Sequence, residues 1–316
     1  MRRFLSSLIL FTLYSSIIYL FSIFICGSII PSSLIPNLKY PIGSVGHLYS
    51  RLKEVKSTDN IDVLFLGSSH AIRGFNTRDI EKGGYKCFNL GCKAGTPLQT
   101  LTLLKRYLYQ LNPKTVVFEV FPATFEIDGI ESSLHLLAND AVDQYAIEMA
   151  LKYSNPKVYN TLTYGMISDF FKINSSFIED SIKGNDTYFR GGYVERKGCY
   201  WTPRAFGKHK IKLNQNQIVA FEEIIKMLKS KNIKVILVFA PVSPSYYSRY
   251  SNVGQFDSIM ESYTEYYNFN KIINLNDSIH FYDEHHMNKE GVDLFSPKII
   301  EMLNKEKART HNILHK

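Results

Sequence analysis

Tryptophan occurs once in this chain of 316 residues, and cysteine four times. Cys26 lies in an apolar stretch, which leaves Cys87, Cys92 and Cys199, and an odd number cannot close a disulfide framework. No CxxC pair occurs, so Cys87 and Cys92 read as small buried residues beside a strand end rather than as metal ligands. Ile25 before Cys26 is a poor residue for lipoprotein processing, so no lipid anchor is expected there. A dense Lys/Arg stripe is also lacking. Part of the formal charge of +8 sits at the chain ends, in Arg2 and Arg3 and in the run from Asn304 to His311. Nucleic acid is therefore not an expected partner. A mildly basic surface is compatible with acidic polymers or an anionic membrane face.

Charge is missing altogether from Phe4 to Ile30, and the next charged residue is Lys39. The stretch exceeds the ~20 apolar residues a membrane helix needs. Arg2 and Arg3 before it place the amino terminus in the cytoplasm and the rest of the chain outside. The competing reading is a cleaved signal peptide. Its apolar core is usually shorter, and Ser28-Ile-Ile-Pro is not a clear small-x-small cleavage site. The expectation is an anchor over 1–30, in a bacterial cytoplasmic membrane. A proline-bearing stalk follows over 31–58, with room for a short helix at Val45–Val55, and then one domain over 59–316.

From Ile61 the chain alternates strand and helix patterns. Buried strands are predicted at Ile61–Leu66, Cys87–Leu90, Thr115–Phe121, Val235–Ala240 and Ile272–Leu275. Amphipathic helices are predicted at Pro97–Leu111, capped by Thr96 with Pro97 in its first turn, and at Gln215–Ser230. Tyr263–Phe269 reads as another helix end, and a closing helix covers Gly291–Lys307. Strands separated by helices imply a three-layer α/β sandwich with a central, mostly parallel five-stranded sheet. About ninety residues, 123–212, interrupt this pattern. Helices are expected at Leu134–Tyr153 and Val158–Ser181, and an aromatic loop at Gly191–Pro203. Such an insertion either recognises substrate or merely covers the sheet. Asn174-Ser-Ser and Asn185-Asp-Thr match a glycosylation pattern that is common by chance.

Four places then reach the carboxyl edge of the sheet, where ligands bind in open α/β folds. They are Gly67-Ser68-Ser69-His70, Asn89 through Gly91 to Gly95 and Thr96, Glu119 to Pro122, and Tyr282-Asp283 through His285-His286 to Asn288. A serine nucleophile needs a base within hydrogen-bond reach and a group to orient that base. Asp283 and His286 can supply both to Ser69. An oxyanion needs backbone donors. Gly95 before a helix amino terminus offers one, with Gly91 as the alternative.

In this set the chain resembles the SGNH (GDSL-type) serine hydrolase superfamily. Gly67-Ser68-Ser69 stands for its nucleophile block, with Ser68 where many members have aspartate. Asn89 to Thr96 stands for its glycine block. Asp283-Glu-His-His286-Met-Asn288, with Gly291 following, stands for its final block. The resemblance covers Ile61 to about Leu303 and leaves the insertion unmatched. It implies a flavodoxin-like fold, catalytic Ser69, His286 and Asp283, an oxyanion hole at Ser69 with Gly95 or Gly91, and neither cofactor nor metal. The membrane-anchored branch with related first blocks implies acyl modification of envelope polysaccharides. An O-acylated carbohydrate or envelope polymer would then be the substrate, and a multi-span membrane acyltransferase a partner. One departure stands out. The third block normally contributes an asparagine to the oxyanion hole, and here the third strand ends Glu119-Val-Phe-Pro122. The loss of such a donor favours a rival reading, a non-catalytic carbohydrate-binding or assembly component.

Several neighbours read as structural. His70 is taken as a structural histidine. Glu119 is either a buried acid with a raised pKa or a partner of Arg73 or of a loop amide. His285 and His286, on an extended loop, would point apart and hold no metal.

Overall fold

The computed structural model describes every residue except 32, 36, 315 and 316, and residues 310–314 by backbone alone. Residues 32 and 36 of the expected stalk therefore lie outside the description. In chain order the first elements are α1 (Arg2–Ile29), α2 (Leu48–Val55), β1 (Val63–Leu66), α3 (Ser69–Gly74), α4 (Thr77–Lys82), β2 (Cys87–Asn89), α5 (Pro97–Leu111) and β3 (Thr115–Glu119). Then come α6 (Ile130–Asn139), α7 (Gln144–Ala150), α8 (Pro156–Phe170), β4 (Ile182–Lys183), β5 (Asp186–Phe189) and β6 (Tyr193–Arg196). The chain closes with α9 (Gln215–Ser230), β7 (Lys234–Phe239), α10 (Pro244–Tyr247), α11 (Val253–Tyr263), β8 (Glu265–Asn268), α12 (Asp277–His280) and α13 (Lys289–Leu314).

The chain divides into two units, Met1–Ser44 with Ser133–Ile178, and Val45–Ser132 with Glu179–Lys316. This corrects two expected boundaries. Helix α2 is no stalk: Leu48, Arg51, Leu52 and Val55 are all buried, and the helix belongs to the α/β unit. The insertion is not one piece either, since 133–178 groups with the amino-terminal segment and 179–212 with the α/β unit.

The α/β unit holds the expected five-stranded sheet, in the order β2-β1-β3-β7-β8, with every pairing parallel. Counted within the sheet this is the order 2-1-3-4-5 of doubly wound flavodoxin-like folds. The strands are apolar along both faces because helices cover both. Val63, Phe65, Val117, Ile236 and Val238 share one core with Ile80 of α4 and with Val292, Phe295 and Ile299 of α13. On the other face Phe118 meets Phe221 of α9, and Phe239 meets Phe256 of α11. The cap of α5 forms as expected, with Thr96 and Gln99 bonding reciprocally across the first turn.

The fifth strand is not where periodicity put it. It is β8 at Glu265–Asn268, not Ile272–Leu275. Its polar sequence suits its place at the sheet edge. Tyr266 donates to Asp257 on one side and Tyr267 to Glu306 on the other. The helix expected to run to Ser181 stops at Phe170, and Lys172 (φ 53°) turns the chain away. A three-stranded antiparallel sheet, β4-β5-β6, follows, and its last strand occupies the start of the expected loop at Gly191–Pro203. The turn between β5 and β6 docks this sheet on the edge strand of the main one: Asn89 N–H donates to Gly191 O at 2.7 Å. Gly192 (φ +93°) lies so close to the Asn89 carbonyl that any Cβ there would overlap it. Gly192→Ala therefore combines a forbidden backbone conformation with a clash. It is expected to lower stability by ~2–3 kcal/mol, read as a drop in Tm of the full-length protein by circular dichroism.

Candidate functional site

In this strand order the topology reverses between β1 and β3, and a crevice opens there at the carboxyl ends of the strands. Ser68 and Ser69 follow β1, and Glu119 ends β3. Gly67 makes the turn with φ +133°, and a Cβ on it would come within 2.7 Å of Glu119 Cβ and Oε2. Only glycine lets the two strand ends approach so closely. Ser68 caps α3, its side chain accepting from His70 N–H at 3.2 Å. Ser69 is thereby the first helical residue, half-buried, with its hydroxyl on the open side.

Ser69 meets its partner across the crevice. His286 Nε2 lies 2.8 Å from Ser69 Oγ, and His286 Nδ1 lies 2.8 Å from Asp283 Oδ2. For Nε2 to accept the serine proton, the ring carries its own proton on Nδ1 and donates it to Asp283. Asp283 also accepts from the backbone N–H groups of His285 (3.0 Å) and His286 (2.8 Å). Burial alone would raise the Asp283 carboxyl. The hydrogen bond from His286, the charge that His286 and His285 can carry, and the His285 N–H more than reverse this, and they hold the carboxyl well below the usual carboxylate range. Tyr282 stacks parallel to the His286 ring at 5.4 Å and fixes its plane. Arg73 and Arg196 lie over Tyr282, and both grip Asp186 at 2.6–2.9 Å. Burial would raise Asp186, and the two guanidinium groups bring it down to about 2. Sequence reasoning missed this Arg73–Asp186–Arg196 cluster, which ties α3 to β5 and β6 behind the Asp283 loop.

The loop carrying Asp283 is not extended. Its two N–H bonds to Asp283 turn the chain, so His285 and His286 do not point apart. Their rings lie 4.1 Å from one another, and His70 joins them at 5.1 and 4.7 Å. One nitrogen from each of the three imidazoles falls within 4.8 Å of the others, a density of ligands that could hold a transition metal. As they stand these nitrogens have other partners. His70 Nε2 faces His285 Nδ1 at 3.2 Å, and His286 Nε2 faces Ser69. Burial, with the neighbouring His286, lowers His285 to about 3 and His70 well below its ordinary value.

Beneath the triad runs a second chain of hydrogen bonds. Glu119 Oε2 accepts from Ser68 N–H at 3.0 Å and from Ser68 Oγ at 2.7 Å. Ser68 Oγ lies 3.1 Å from His70 Nδ1, and His70 leads on to His285. Of the roles open to Glu119, the loop amide is its partner, while Arg73 is engaged by Asp186. Burial pushes the Glu119 carboxyl up to about 7 against the opposing bonds from Ser68 and the backbone of Phe121. His70 is thus more than a neighbour of Ser69. It is buried against Phe121 and joins Glu119 to His285.

The oxyanion donors fall differently from the expectation. Ser69 N–H has no partner among the described residues. Gly95 N–H donates to Cys92 O at 2.8 Å, inside a turn in which Ala94 has φ +49°. Gly91 N–H donates to Asn89 Oδ1 at 3.1 Å. Both glycines are explained by close packing instead. A Cβ at Gly91 would come within 2.9 Å of Ser68 O, and one at Gly95 within 2.9 Å of Gly67 O. The glycine loop is a backbone wall behind the nucleophile turn. Arg51, wholly buried, bonds the carbonyls of Gly46 and Gly91 and holds that wall from behind.

No protein-family model and no curated protein matches the chain. Among solved structures it is similar to a "putative acylhydrolase" from Bacteroides fragilis, at 13% identity and TM-score 0.42 over 83% of this chain and 97% of the other. It is also similar to a GDSL-like lipase from Bacteroides thetaiotaomicron, at 12% identity and TM-score 0.41 over 83% and 98%. Both likenesses are distant, and the functional reading below stands on the geometry of the site.

Glu119 yields a signed expectation for stability. Its pKa is raised from 4.5 to about 7 on folding, so the folded state binds its proton more tightly. The resulting stabilisation is full below pH ~4.5 and fades as pH rises to ~7. Glu119→Gln cannot titrate. Relative to it, the native protein is expected to lose roughly 3 kcal/mol between pH 4.5 and 8. Urea denaturation of both proteins across that range checks this, and parallel curves would refute it.

Proposed function

We propose that the protein is a serine acyl hydrolase or acyltransferase in which Ser69 is the nucleophile. The observation that carries this is the continuous line Ser69 Oγ–His286–Asp283, with both bonds at 2.8 Å and drawn from two sites more than two hundred residues apart. Ser69 Oγ attacks an acyl carbonyl carbon, and its proton passes to His286 Nε2. Asp283 holds the imidazolium so formed. The ester C–O bond breaks, and the leaving alcohol takes the proton from His286. Water then attacks the acyl-enzyme and gives a free acid, or a sugar hydroxyl attacks and gives a new ester. In either case His286 takes the incoming proton and returns it to Ser69. Ser69 N–H supplies one oxyanion donor. A turn of the 92–95 loop that frees Gly95 N–H would supply the second.

The substrate proposed is an O-acylated carbohydrate or envelope polymer outside the cytoplasmic membrane. Two features support it. The 28-residue α1, apolar beyond Arg2 and Arg3 at its start, is long enough to span a bilayer, although a signal sequence has the same character. The loop beside the catalytic block is aromatic. Trp201 N–H donates to Phe281 O, Trp201 stacks on Phe206 at 5.9 Å, and Phe206 meets Tyr246 at 5.3 Å. Such faces suit the apolar faces of sugar rings. A transferase would take its acyl group from a donor brought across the membrane, for which a multi-span acyltransferase is the natural partner.

One observation favours a second reading. Both glycine N–H groups are committed, and no asparagine ends β3. The site could therefore bind an acylated polymer without turning it over. Two measurements on the full-length protein in detergent separate the readings. Turnover of p-nitrophenyl acetate is expected to fall by about 10³-fold or more in Ser69→Ala. A fluorophosphonate probe is expected to label the native protein and not the variant. Equal rates in the two proteins would overturn the catalytic reading, and glycan binding without labelling would establish the second one.

A further inference from the structure

The unit built from Met1–Ser44 and Ser133–Ile178 shows where protein begins to cover α1. Residues Met1 to Ser22 are exposed, and burial starts at Ile23 and recurs at Gly27. At 1.5 Å per residue, Phe4–Ser22 rises about 28 Å. That is close to the ~30 Å thickness of a bilayer's hydrocarbon core. If Arg2 and Arg3 stay at one surface, burial of α1 begins at the depth where hydrocarbon gives way to headgroups on the other, with one polar contact, Tyr19 to Asn160, a turn before it.

The contacts at that depth come mainly from α8. Phe171, just past its end, stacks on Phe24 with ring centres 5.5 Å apart. Tyr164 lies so close to Gly27 that a Cβ there would overlap its ring. Lys39 lies over the same Tyr164 ring at 5.3 Å and bonds the Gly27 carbonyl. Lower down, Tyr19 bonds Asn160. One face of α8 is buried, at Val158, Thr161 and Ser168. Another is apolar yet uncovered. Tyr159, Met166 and Phe170 form a stripe at helical spacing, continued by Phe171, Ile173 and Ile178. Phe170 and Ile178 are 80% and 82% exposed. Lys152 and Lys172 stand exposed near the stripe, and Lys157 is half-buried.

We infer that α8 and the segment through Ile178 rest in the outer headgroup layer of the same bilayer that α1 crosses, as a second, interfacial membrane contact. The occupant is the lipid surface because the stripe is continuous with α1 at the outer end of the span. Aromatic rings and lysines are the side chains that settle at that level. The inference rests on α1 being a membrane span, as proposed above. It adds that α1 is retained, since a cleaved segment would leave Phe171 and Tyr164 without their partners.

The test uses the full-length chain in nanodiscs of phosphatidylethanolamine and phosphatidylglycerol, with Trp201→Phe to remove the native tryptophan signal. Single tryptophans are then placed by Leu13→Trp in the span, Phe170→Trp in the stripe and Tyr109→Trp on the exposed surface of α5. Lipids brominated deep in the acyl chain are expected to quench Leu13→Trp. Lipids brominated near the headgroup are expected to quench Phe170→Trp at least twofold, and neither should affect Tyr109→Trp. Quenching at 13 with none at 170 would overturn the inference while leaving the anchor intact. A blue-shifted but unquenched Phe170→Trp would overturn it in favour of a protein partner on the stripe. No quenching at 13 would remove the anchor reading and this inference together.

Discussion

The site depends on one close approach, between the ends of β1 and β3. Glu119 reaches across to the Ser68 amide and hydroxyl, and Gly67 gives up a side chain to allow it. Everything that positions Ser69 follows from that contact. With Ser68 held from below, its hydroxyl caps α3, and the next residue starts the helix with its own hydroxyl facing the crevice. The glycine loop then packs against the back of the same turn, close to the carbonyls of Gly67 and Ser68. A carboxyl buried with only part of its hydrogen-bonding capacity met is costly. Its pKa of about 7 is the visible sign of that cost.

A second constraint holds the base. Asp283 serves the His286 ring with one face of its carboxylate and the loop backbone with the other, so the group that orients the imidazole also shapes the turn presenting it. Tyr282 carries this outward to Arg73, Asp186 and Arg196. The small antiparallel sheet is thereby part of the support of the Asp283 loop, although it lies within a stretch that looks like decoration on the main fold.

What the sequence made legible, and what it did not, divides along physical lines. The parallel sheet was readable because β1, β3 and β7 are buried on both faces and so are largely apolar. The meeting of Ser69, Asp283 and His286 could be expected because the strand–helix alternation puts the Ser69 turn and the Asp283 loop at the same sheet edge. The edge strand β8 was not, since an edge tolerates Glu265, Tyr266, Tyr267 and Asn268, which carry no strand signal of their own. The turn that brings His285 against His286 depends on side-chain bonds to Asp283, and periodicity does not report those. Asp186 pairs with Arg73 from more than a hundred residues away, and Arg196 joins them through the same carboxylate. Nothing local marks them as partners.

Arg51 changes where the α/β unit must be said to start. The first strand begins at Val63, and a boundary drawn just before it would look natural. Yet the buried guanidinium of Arg51 reaches forward to the carbonyl of Gly91 and back to that of Gly46, and Leu48, Leu52 and Val55 fill the space beside it. A version of the protein shortened to the strand pattern alone would open a polar hole behind the glycine loop. The wall at the nucleophile's back would lose its brace. The short helix α2 is thus the first piece of the α/β unit, and a shortened form that keeps the site must begin before Val45.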